Sequence, residues 1–242
     1  MGEKVIGILG GMGPEATADL FYRIIRATPV EKDQDHPRTI IYSNSKVPDR
    51  TMAILSGGPS PVPEMVMAAR ALEGAGADFL IMPCNTAHYF IEELRESIEI
   101  PVLHMIELAA RKVGTELPEV KEAGLIATDG TVRSGIYHTS FERHGIKVVI
   151  PPEDLQRVTM DAIYRHIKKG DLDVGREIVL RVANDLVGRS AQAVICGCTE
   201  ISLVLKDGDI PAPVIDPVQI LAETAVEAAL GKIDLDSLIY NL

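Results

Sequence analysis

The chain has 242 residues, with 24 lysines and arginines against 35 aspartates and glutamates, so its formal net charge is −11. This acidity argues against a protein that binds nucleic acid or an anionic membrane surface, because either partner requires a basic face. Hydrophobic residues make up 46% and charged residues 24%, which is typical of a globular protein and excludes a disordered one.

The N-terminal segment, the hydropathy pattern and the cysteines predict the cellular compartment of the protein. The start, MGEKVIGILGGMGPEA, lacks the basic and apolar regions of a secretory signal. No uncharged apolar run reaches the roughly 18 residues needed for a membrane span. The three cysteines do not suggest a disulfide framework. We therefore expect a cytoplasmic protein with reduced thiols.

Short β-branched apolar runs alternate with longer amphipathic stretches along the chain, which predicts an α/β fold of parallel sheets flanked by helices. The predicted strands, in chain order, are 4–9, 39–44, 78–82, 101–103, 123–127, 146–150, 192–196 and 213–215. The predicted helices lie near 14–27, 62–75, 86–98, 105–113, 131–143, 153–169, 171–188, 200–205 and 217–230. Residues 45–63, with four prolines and two glycines, are predicted to form a long loop that serves a site or closes over it.

The chain carries one pattern twice. Gly7-Ile8-Leu9, before a glycine turn, aligns with Gly124-Leu125-Ile126, and segment 77–86 aligns with segment 191–200. The repeat predicts two similar pseudo-symmetric α/β halves, residues 1–103 with 212–242 and residues 104–211. Each half places a cysteine just beyond the carboxyl end of a strand, where open parallel sheets bind ligands. We therefore expect two thiols to face one cleft between the halves.

The segment Gly10-Gly11-Met12-Gly13-Pro14 lies between the first predicted strand and helix. Together with Ala16 it meets a relaxed dinucleotide-binding pattern. However, Pro14 lacks a backbone N–H, and Ser43-Asn44 stands where a ribose-binding acid is expected. The favoured interpretation is a turn that lets a smaller anion, such as a carboxylate, approach the helix start. A purely structural turn remains the alternative.

Cys84 and Cys198 each lie between a predicted strand and a helix start, whose partial positive charge favours a reactive thiolate. The alternative is that each is a buried cysteine filling the end of a sheet. Their matching places in the repeat favour a functional pair. Cys196 lies within a strand and is assigned to the core. No second cysteine pair or closely spaced histidine pair accompanies Cys196 and Cys198, so we expect no metal site, and there is no C-x-x-C redox motif.

Four segments, GILGGMGPEAT, VPDR, MPCNTAH and GCTE, together resemble the aspartate racemase branch of the cofactor-independent aspartate/glutamate racemase family. The likeness covers essentially the whole chain, and the motifs follow the family's order. Glutamate racemases typically carry a histidine after the second Cys-Thr, where this chain has Glu200, which favours the aspartate branch. The resemblance implies a homodimer of two-domain pseudo-symmetric protomers, with a substrate held between the halves and no cofactor.

The resemblance also implies roles for individual residues. Cys84 and Cys198 would be the acid/base pair, since inversion of an α-carbon requires proton removal from one face and delivery to the other. Donors at the two helix starts would stabilise the carbanionic intermediate. Arg50 and Lys168 match basic positions that would bind a second carboxylate, although Lys169 leaves the latter assignment open. The implied substrate-binding residues are Met12, Arg50, Thr51, Asn85, Thr86, Ala87, Lys168, Thr199 and Glu200, of which Glu200 has no clear role and could cap or charge a helix start.

The sequence thus predicts a cofactor-independent racemase of L- and D-aspartate, acting on a small dicarboxylic amino acid without nucleic-acid or membrane partners. A glutamate or broad-specificity racemase of the same family remains open, because one methylene of pocket depth discriminates by only about 1–3 kcal/mol. Three further interpretations remain open: a non-catalytic protein that binds a small carboxylate, a dinucleotide enzyme, and an enzyme that depends on pyridoxal phosphate.

Overall fold

The computed structural model describes residues 3–239 of the chain. These residues form two compact units. The first contains the described residues up to Leu108 and those from Val218 onward, and the second is Ala109–Pro217. No helix of the described part is both long and apolar enough to span a membrane.

The first unit is built on a parallel sheet of β1 (Ile6–Gly10), β2 (Thr39–Ser43) and β3 (Phe79–Ile81), in the order β2-β1-β3. All five residues of the central strand β1 are buried. This continuous apolar run is typical of a parallel strand that is covered on both faces. Beyond β3, an isolated parallel bridge joins Leu80 to Val102, which lies in the segment predicted as a strand at 101–103.

Helices follow the strands of the first unit. They are α1 (Pro14–Ala27), α2 (Arg50–Ser56), α3 (Val62–Gly74), α4 (Ile91–Arg95) and α5 (Met105–Glu116), within which the chain passes into the second unit. Short 3-10 turns occur at Asp33–Asp35 and Thr86–Phe90. The predicted helix at 86–98 is thus a 3-10 turn followed by the short α-helix α4.

Helix α2 interrupts the expected long loop at 45–63, so that prediction was wrong for residues 50–56. The carboxylate of Asp49 accepts a hydrogen bond from the N–H of Met52 at 2.8 Å and caps the helix start. Gly57, with a φ of 65°, ends the helix in the left-handed conformation. Both signals stand in the sequence, but the surrounding prolines obscure them.

The second unit contains a parallel sheet of β4 (Glu122–Ala127), β5 (Lys147–Val149), β6 (Ala193–Gly197) and β7 (Val214–Ile215), in the order β5-β4-β6-β7. Its helices are α6 (Asp129–Ser134), α7 (Ile136–Glu142), α8 (Glu153–Asp161), α9 (Leu172–Gly188) and α10 (Thr199–Val204). Gly135, at a φ of 72°, splits the predicted helix 131–143 in two. The predicted helix 153–169 is α-helical only to Asp161 and continues as a π turn (Ala162–His166) and a 3-10 turn (Ile167–Lys169).

The chain then returns to the first unit through α11 (Pro217–Ala229) and α12 (Leu235–Ile239). The backbone N–H of Lys4, just before β1, donates to the carbonyl of Ala229 at 2.9 Å. The return of the C-terminal helices therefore agrees with the repeat.

The expectation of two similar halves is confirmed by the order of the strands and by one contact that recurs in each half. Strand β4 lies between β5 and β6 as β1 lies between β2 and β3. A Cβ at Gly7, which is paired with Leu80, would lie 2.9 Å from Cβ of Ala77. A Cβ at the equivalent Gly124 would lie 3.3 Å from Cβ of Ala191. Both glycines therefore permit the same close packing at the same point of the repeat.

The prediction for the last strand was wrong. The repeat predicts that residues 212–242 return together to the first half, but β7 pairs with β6, Val214 lying opposite Val194. Its counterpart in the first unit is Val102, which bridges to Leu80 of β3. Each third strand is therefore followed by one more short parallel segment, and the repeat includes β7.

Candidate active site

Cys84 lies three residues beyond the end of β3 and is only 6% exposed. It belongs to an apolar cluster of the first unit that also contains Met12, Val47 and Ala87. Helix α2, which carries Arg50 and the buried Thr51, packs against the turn Thr86–Phe90. The first unit thus places Met12 and Ala87 in the same apolar cluster as the first cysteine, and Thr51 on a helix that packs against the turn after it.

His88 holds the backbone of Cys84. Its Nδ1 lies 2.8 Å from the carbonyl oxygen of Cys84, and its Nε2 lies 3.2 Å from the backbone nitrogen of Met105. A carbonyl only accepts and an N–H only donates, so Nδ1 carries the proton and Nε2 is the acceptor. Complete burial lowers the pKa of His88 to about 4, which keeps this imidazole neutral at neutral pH.

The same contact explains the 3-10 turn. In an α-helix the backbone N–H of His88 would bond the carbonyl of Cys84. Here the imidazole bonds that carbonyl, and the backbone N–H of His88 donates to Asn85 at 3.1 Å instead. The buried polar residues Asn85 and Thr86 stand at the start of this tighter turn. The sequence places His88 inside the cysteine motif but assigns it no role.

Arg50 is the first residue of α2, and its guanidinium already binds backbone carbonyls. Nη1 donates to Pro48 at 3.1 Å and to Val47 at 3.4 Å, and Nη2 donates to Met12 at 3.3 Å. The side chain therefore ties the segment before α2 to the glycine turn after β1. Arg50 lies in the same unit as Cys84, and the structure gives it a positioning role that the sequence does not show.

The glycine turn is occupied by groups of its own chain. The N–H of Gly11 donates to the hydroxyl of Thr17 at 2.8 Å, and that hydroxyl donates to the carbonyl of Gly13 at 2.9 Å. Gly11 has a φ of 92°, and a Cβ there would clash with the backbone of Asn44. The side-chain amide of Asn44 in turn donates to Glu64 at 2.8 Å. The N–H of Gly11 thus already donates to Thr17 and does not point at a pyrophosphate. This counts against the interpretation as a dinucleotide-binding turn.

Cys198 directly follows β6 and is the N-cap residue of α10, with 7% of its surface exposed. Its Sγ lies 2.8 Å from Oε2 of Glu200, and the hydroxyl of Thr199 donates to the same oxygen at 3.1 Å. Nζ of Lys168 lies 3.6 Å from the other carboxylate oxygen. Glu200 is therefore the acceptor on which the second cysteine, its neighbour and a cation converge, rather than a cap.

Burial raises the pKa of the Cys198 thiol well above its ordinary value, and the carboxylate of Glu200 raises it further. Lys168 and the backbone N–H of Glu200 lower the pKa, but they are outweighed. The backbone at the helix start thus favours the thiolate, but burial and the Glu200 carboxylate outweigh it. Helix α10 has only six residues, and its partial charge competes with both burial and a carboxylate in direct contact.

The choice between Lys168 and Lys169 is decided by the turn that carries them. The π turn Ala162–His166 and the 3-10 turn after it direct Lys168 toward Glu200, with its Nζ also 4.6 Å from the ring centre of Tyr164. Lys169 is exposed. The structure thus places Lys168, not Lys169, beside the second cysteine.

A buried polar group that the sequence does not reveal lies near Cys198. Tyr137 of α7 is fully buried, and burial raises its pKa, with smaller contributions from the charges of Cys196, Asp216 and Cys198. The hydroxyl of Ser202 donates to Asp216 at 2.8 Å.

Cys196 is fully buried within β6, as its assignment to the core requires. Across residues 3–239, no group of three or more His, Cys, Asp or Glu side chains is placed to hold a metal ion.

Comparison with known proteins supports the resemblance. The family model described as Asp/Glu/Hydantoin racemase matches residues 9–225. The broad specificity amino-acid racemase RacX of Bacillus subtilis (strain 168) is 28% identical over 94% of this chain and 99% of that protein. The structure of Picrophilus torridus aspartate racemase matches with a TM-score of 0.84 and 33% identity, covering 93% of this chain and 94% of that one. An aspartate racemase homologue from Pyrococcus horikoshii OT3 matches with a TM-score of 0.76 and 26% identity, covering 94% and 99%.

Proposed function

This chain belongs to the Asp/Glu/Hydantoin racemase family and is an isomerase, and from that premise we propose that it interconverts L-aspartate and D-aspartate without a cofactor. The observation that carries the proposal is the pair Cys84 and Cys198. Each follows the third strand of its own unit, at equivalent points of the repeat. Inversion at an α-carbon needs two acid/base groups, because one group cannot reach both faces of the carbon.

In the proposed reaction one sulfur acts as a thiolate and removes the α-proton. The C–H bond breaks, an S–H bond forms, and the electron pair is delocalised into the α-carboxylate. The other cysteine, as a thiol, delivers its proton to the opposite face and becomes the thiolate. The raised pKa of Cys198 supports its starting as the thiol. Asn85, Thr86 and Thr199, all buried beside a cysteine, are the proposed donors to the carboxylate.

The proposed preference for aspartate is supported by two basic side chains and by the name of one relative. Arg50 offers a planar guanidinium in the unit of Cys84, and Lys168 offers an ammonium beside Cys198. The relative from Picrophilus torridus is named an aspartate racemase.

A broad-specificity racemase is the second candidate. The ion pair with Glu200 offsets the charge of Lys168, which weakens its attraction for a second substrate carboxylate. The relative from Bacillus subtilis, similar over nearly its whole length, is named a broad specificity racemase.

The test is proton NMR of single enantiomers incubated with the reduced protein in deuterated water, followed by chiral chromatography. L- and D-aspartate are compared with glutamate and several neutral amino acids. We expect loss of the aspartate α-proton signal together with the appearance of the opposite enantiomer. Rates fastest for aspartate support the first candidate, and comparable rates for neutral amino acids support the second.

The cysteine variants provide the internal control. Cys84→Ala and Cys198→Ala should each abolish racemisation, whereas Cys196→Ala, which changes a buried core residue of β6, should retain it. Absence of α-proton exchange for every amino acid tested, in a folded protein with free thiols, would exclude the racemase. In that case retention of bound aspartate would favour a non-catalytic carboxylate-binding protein.

The proposal includes the remaining expectations on partners and location: a homodimer in the cytoplasm that takes a small amino acid and no nucleic acid or membrane. The net charge of −11 supports the last two points. Light scattering of the purified protein should give twice the chain mass of 26.2 kDa, and a monomeric mass would contradict the dimer.

A further inference from the structure

We propose that Glu200 holds the hydrogen of the Cys198 thiol and thereby keeps this cysteine as the acid of the pair in the resting protein. This role rests on the proposed function. Because Glu200 acts through the sulfur, it is a positioning residue of the reaction. Its assignment differs from the helix cap and the substrate ligand that the sequence suggests.

The contacts around the carboxylate carry the proposal. An ionised carboxylate only accepts, and three donors converge on it: the thiol of Cys198 at 2.8 Å, the hydroxyl of Thr199 at 3.1 Å and the ammonium of Lys168 at 3.6 Å. Glu200 is only 8% exposed, so these contacts are poorly screened by water. The thiol hydrogen is therefore directed at an oxygen of the carboxylate.

The first cysteine is followed by a different side chain at the equivalent position. Thr86 follows Cys84 at the spacing that Glu200 keeps from Cys198. A threonine hydroxyl carries no negative charge at neutral pH, whereas an ionised carboxylate does and only accepts hydrogen bonds. The carboxylate at this spacing is thus a property of the second half alone, and the two thiols are chemically unequal although the repeat places them equivalently.

The proton balance is complete within the protein and water. The thiolate of Cys84 removes the α-proton of the substrate and becomes the thiol. The S–H bond of Cys198 breaks as its proton passes to the opposite face of the α-carbon, with the electron pair left on sulfur. The cycle closes when Cys84 releases its proton to water and the Cys198 thiolate takes one from water.

Several charged or titratable groups surround the sulfur and enter any pH dependence. Glu200 lies on its own helix, Lys168 on the turn after the π segment, Tyr137 on α7 and Cys196 on β6. Asp216 lies near Tyr137, and Arg176 of α9 donates to the far end of α10 at Val204. Of these, Glu200 is in direct contact with the sulfur, and Lys168 carries the opposite charge. Substitution of Glu200 and substitution of Lys168 should therefore shift the pKa of the Cys198 thiol in opposite directions.

The primary test is the pH dependence of iodoacetamide alkylation, read at each cysteine by mass spectrometry in the full-length protein. Glu200→Gln retains a hydrogen-bond acceptor of similar size but removes the negative charge. It should lower the pH midpoint of Cys198 alkylation and accelerate the reaction at pH 7 by about tenfold, corresponding to a pKa lowered by about one. Lys168→Met should raise the midpoint, and Glu153→Gln, a side chain that is 90% exposed on α8, should leave it unchanged.

Two cysteines serve as internal references. Cys84 should keep its own midpoint in every variant, and Cys196, which is fully buried, should remain unmodified as long as the protein is folded. An unchanged Cys198 midpoint in folded Glu200→Gln would overturn the proposal. If modification of Cys196 shows that this variant has unfolded, the test moves to Lys168→Met. An alkylation midpoint of Cys198 that does not rise in Lys168→Met then overturns the proposal.

Racemisation supplies the second readout and separates the two proposals. The basic limb of the pH profile of kcat/KM reports loss of the proton from the thiol that must donate it. In Glu200→Gln this limb should therefore move to lower pH. Glu200→Asp, which restores a carboxylate, should return the limb part of the way. If the wild-type protein racemises aspartate but neither this limb nor the alkylation midpoint moves in Glu200→Gln, only the role of Glu200 is overturned. Absence of α-proton exchange in the wild-type protein overturns the proposed function, and with it the catalytic role of Glu200.

Discussion

The thiol of Cys198 donates to the carboxylate of Glu200 over 2.8 Å, and the two residues are only 7% and 8% exposed. The equivalent position after Cys84 is occupied by Thr86, which carries no carboxylate. The carbonyl of Cys84 is bonded by His88, and the residue at that spacing after Cys198 is Ser202, which bonds Asp216. The repeat has therefore kept the two sulfurs in register while their surroundings have diverged.

Gly11 should be intolerant of any side chain. At a φ of 92° an alanine is strained, and its Cβ would clash with the backbone of Asn44. We expect Gly11→Ala to lower the free energy of unfolding by at least about 2 kcal/mol in urea titration. Gly74→Ala, where nothing lies within 4 Å of the added Cβ, should be neutral or slightly stabilising. Equal effects of the two substitutions would contradict the close approach at Gly11.

His88 should make stability depend on pH. The unfolded chain binds a proton at this imidazole near pH 6.5, whereas the folded chain does so only near pH 4. A pKa lowered by folding means that stability is fully present above pH 6.5 and falls as the pH decreases toward 4. The slope from this group is at most about 1.4 kcal/mol per pH unit.

The variant His88→Asn isolates that slope. Its amide can still donate to the Cys84 carbonyl but does not titrate. Urea unfolding at intervals between pH 7 and 4.5 should show a shallower loss of stability in the variant than in the parent protein. Parallel curves would mean that His88 is not the buried neutral group described above.

The neighbouring lysines provide a matched pair for activity. Lys168→Met removes the ammonium 3.6 Å from Glu200, whereas Lys169→Met removes the charge of the next residue, and the net charge changes equally. We expect kcat/KM for aspartate to fall at least about tenfold in Lys168→Met, the loss of one charged contact. It should remain within about twofold in Lys169→Met. A similar loss in both variants would point to long-range attraction of the substrate rather than to a local role of Lys168.

Arg176 should contribute more to stability than an ordinary helix-surface arginine. It donates to the Val204 carbonyl and to both carboxylate oxygens of Asp209, so it ties α9 to the chain after α10. Arg189, just after the last residue of α9, forms a local pair with Asp185, four residues earlier. Arg176→Met should therefore lower the urea midpoint more than Arg189→Met. The reverse order would show that the Asp209 pair is not maintained in solution.

Most of the fold could be predicted because its signals are local. The strands β1 to β7 of the described residues all overlap predicted apolar runs, and the repeated pairs Gly7 with Ala77 and Gly124 with Ala191 occupy equivalent contacts. The errors arose where a local signal was ambiguous. Prolines obscured the caps of α2, and a terminal strand whose repeat partner is a single bridge was placed in the wrong sheet. Gly135 divided a helix that periodicity alone made continuous.

The sequence by itself determined the α/β class, the internal repeat and the positions of Cys84 and Cys198, since apolar runs and motif spacing are properties of neighbouring residues. Tertiary structure decided the rest of the candidate site. Which lysine reaches Glu200, which nitrogen of His88 carries its proton and whether the Cys198 thiol keeps its hydrogen depend on burial and on side chains brought together by folding. Electrostatic and hydrogen-bond energies follow distance in space and exclusion of water, and neither can be read from distance along the chain.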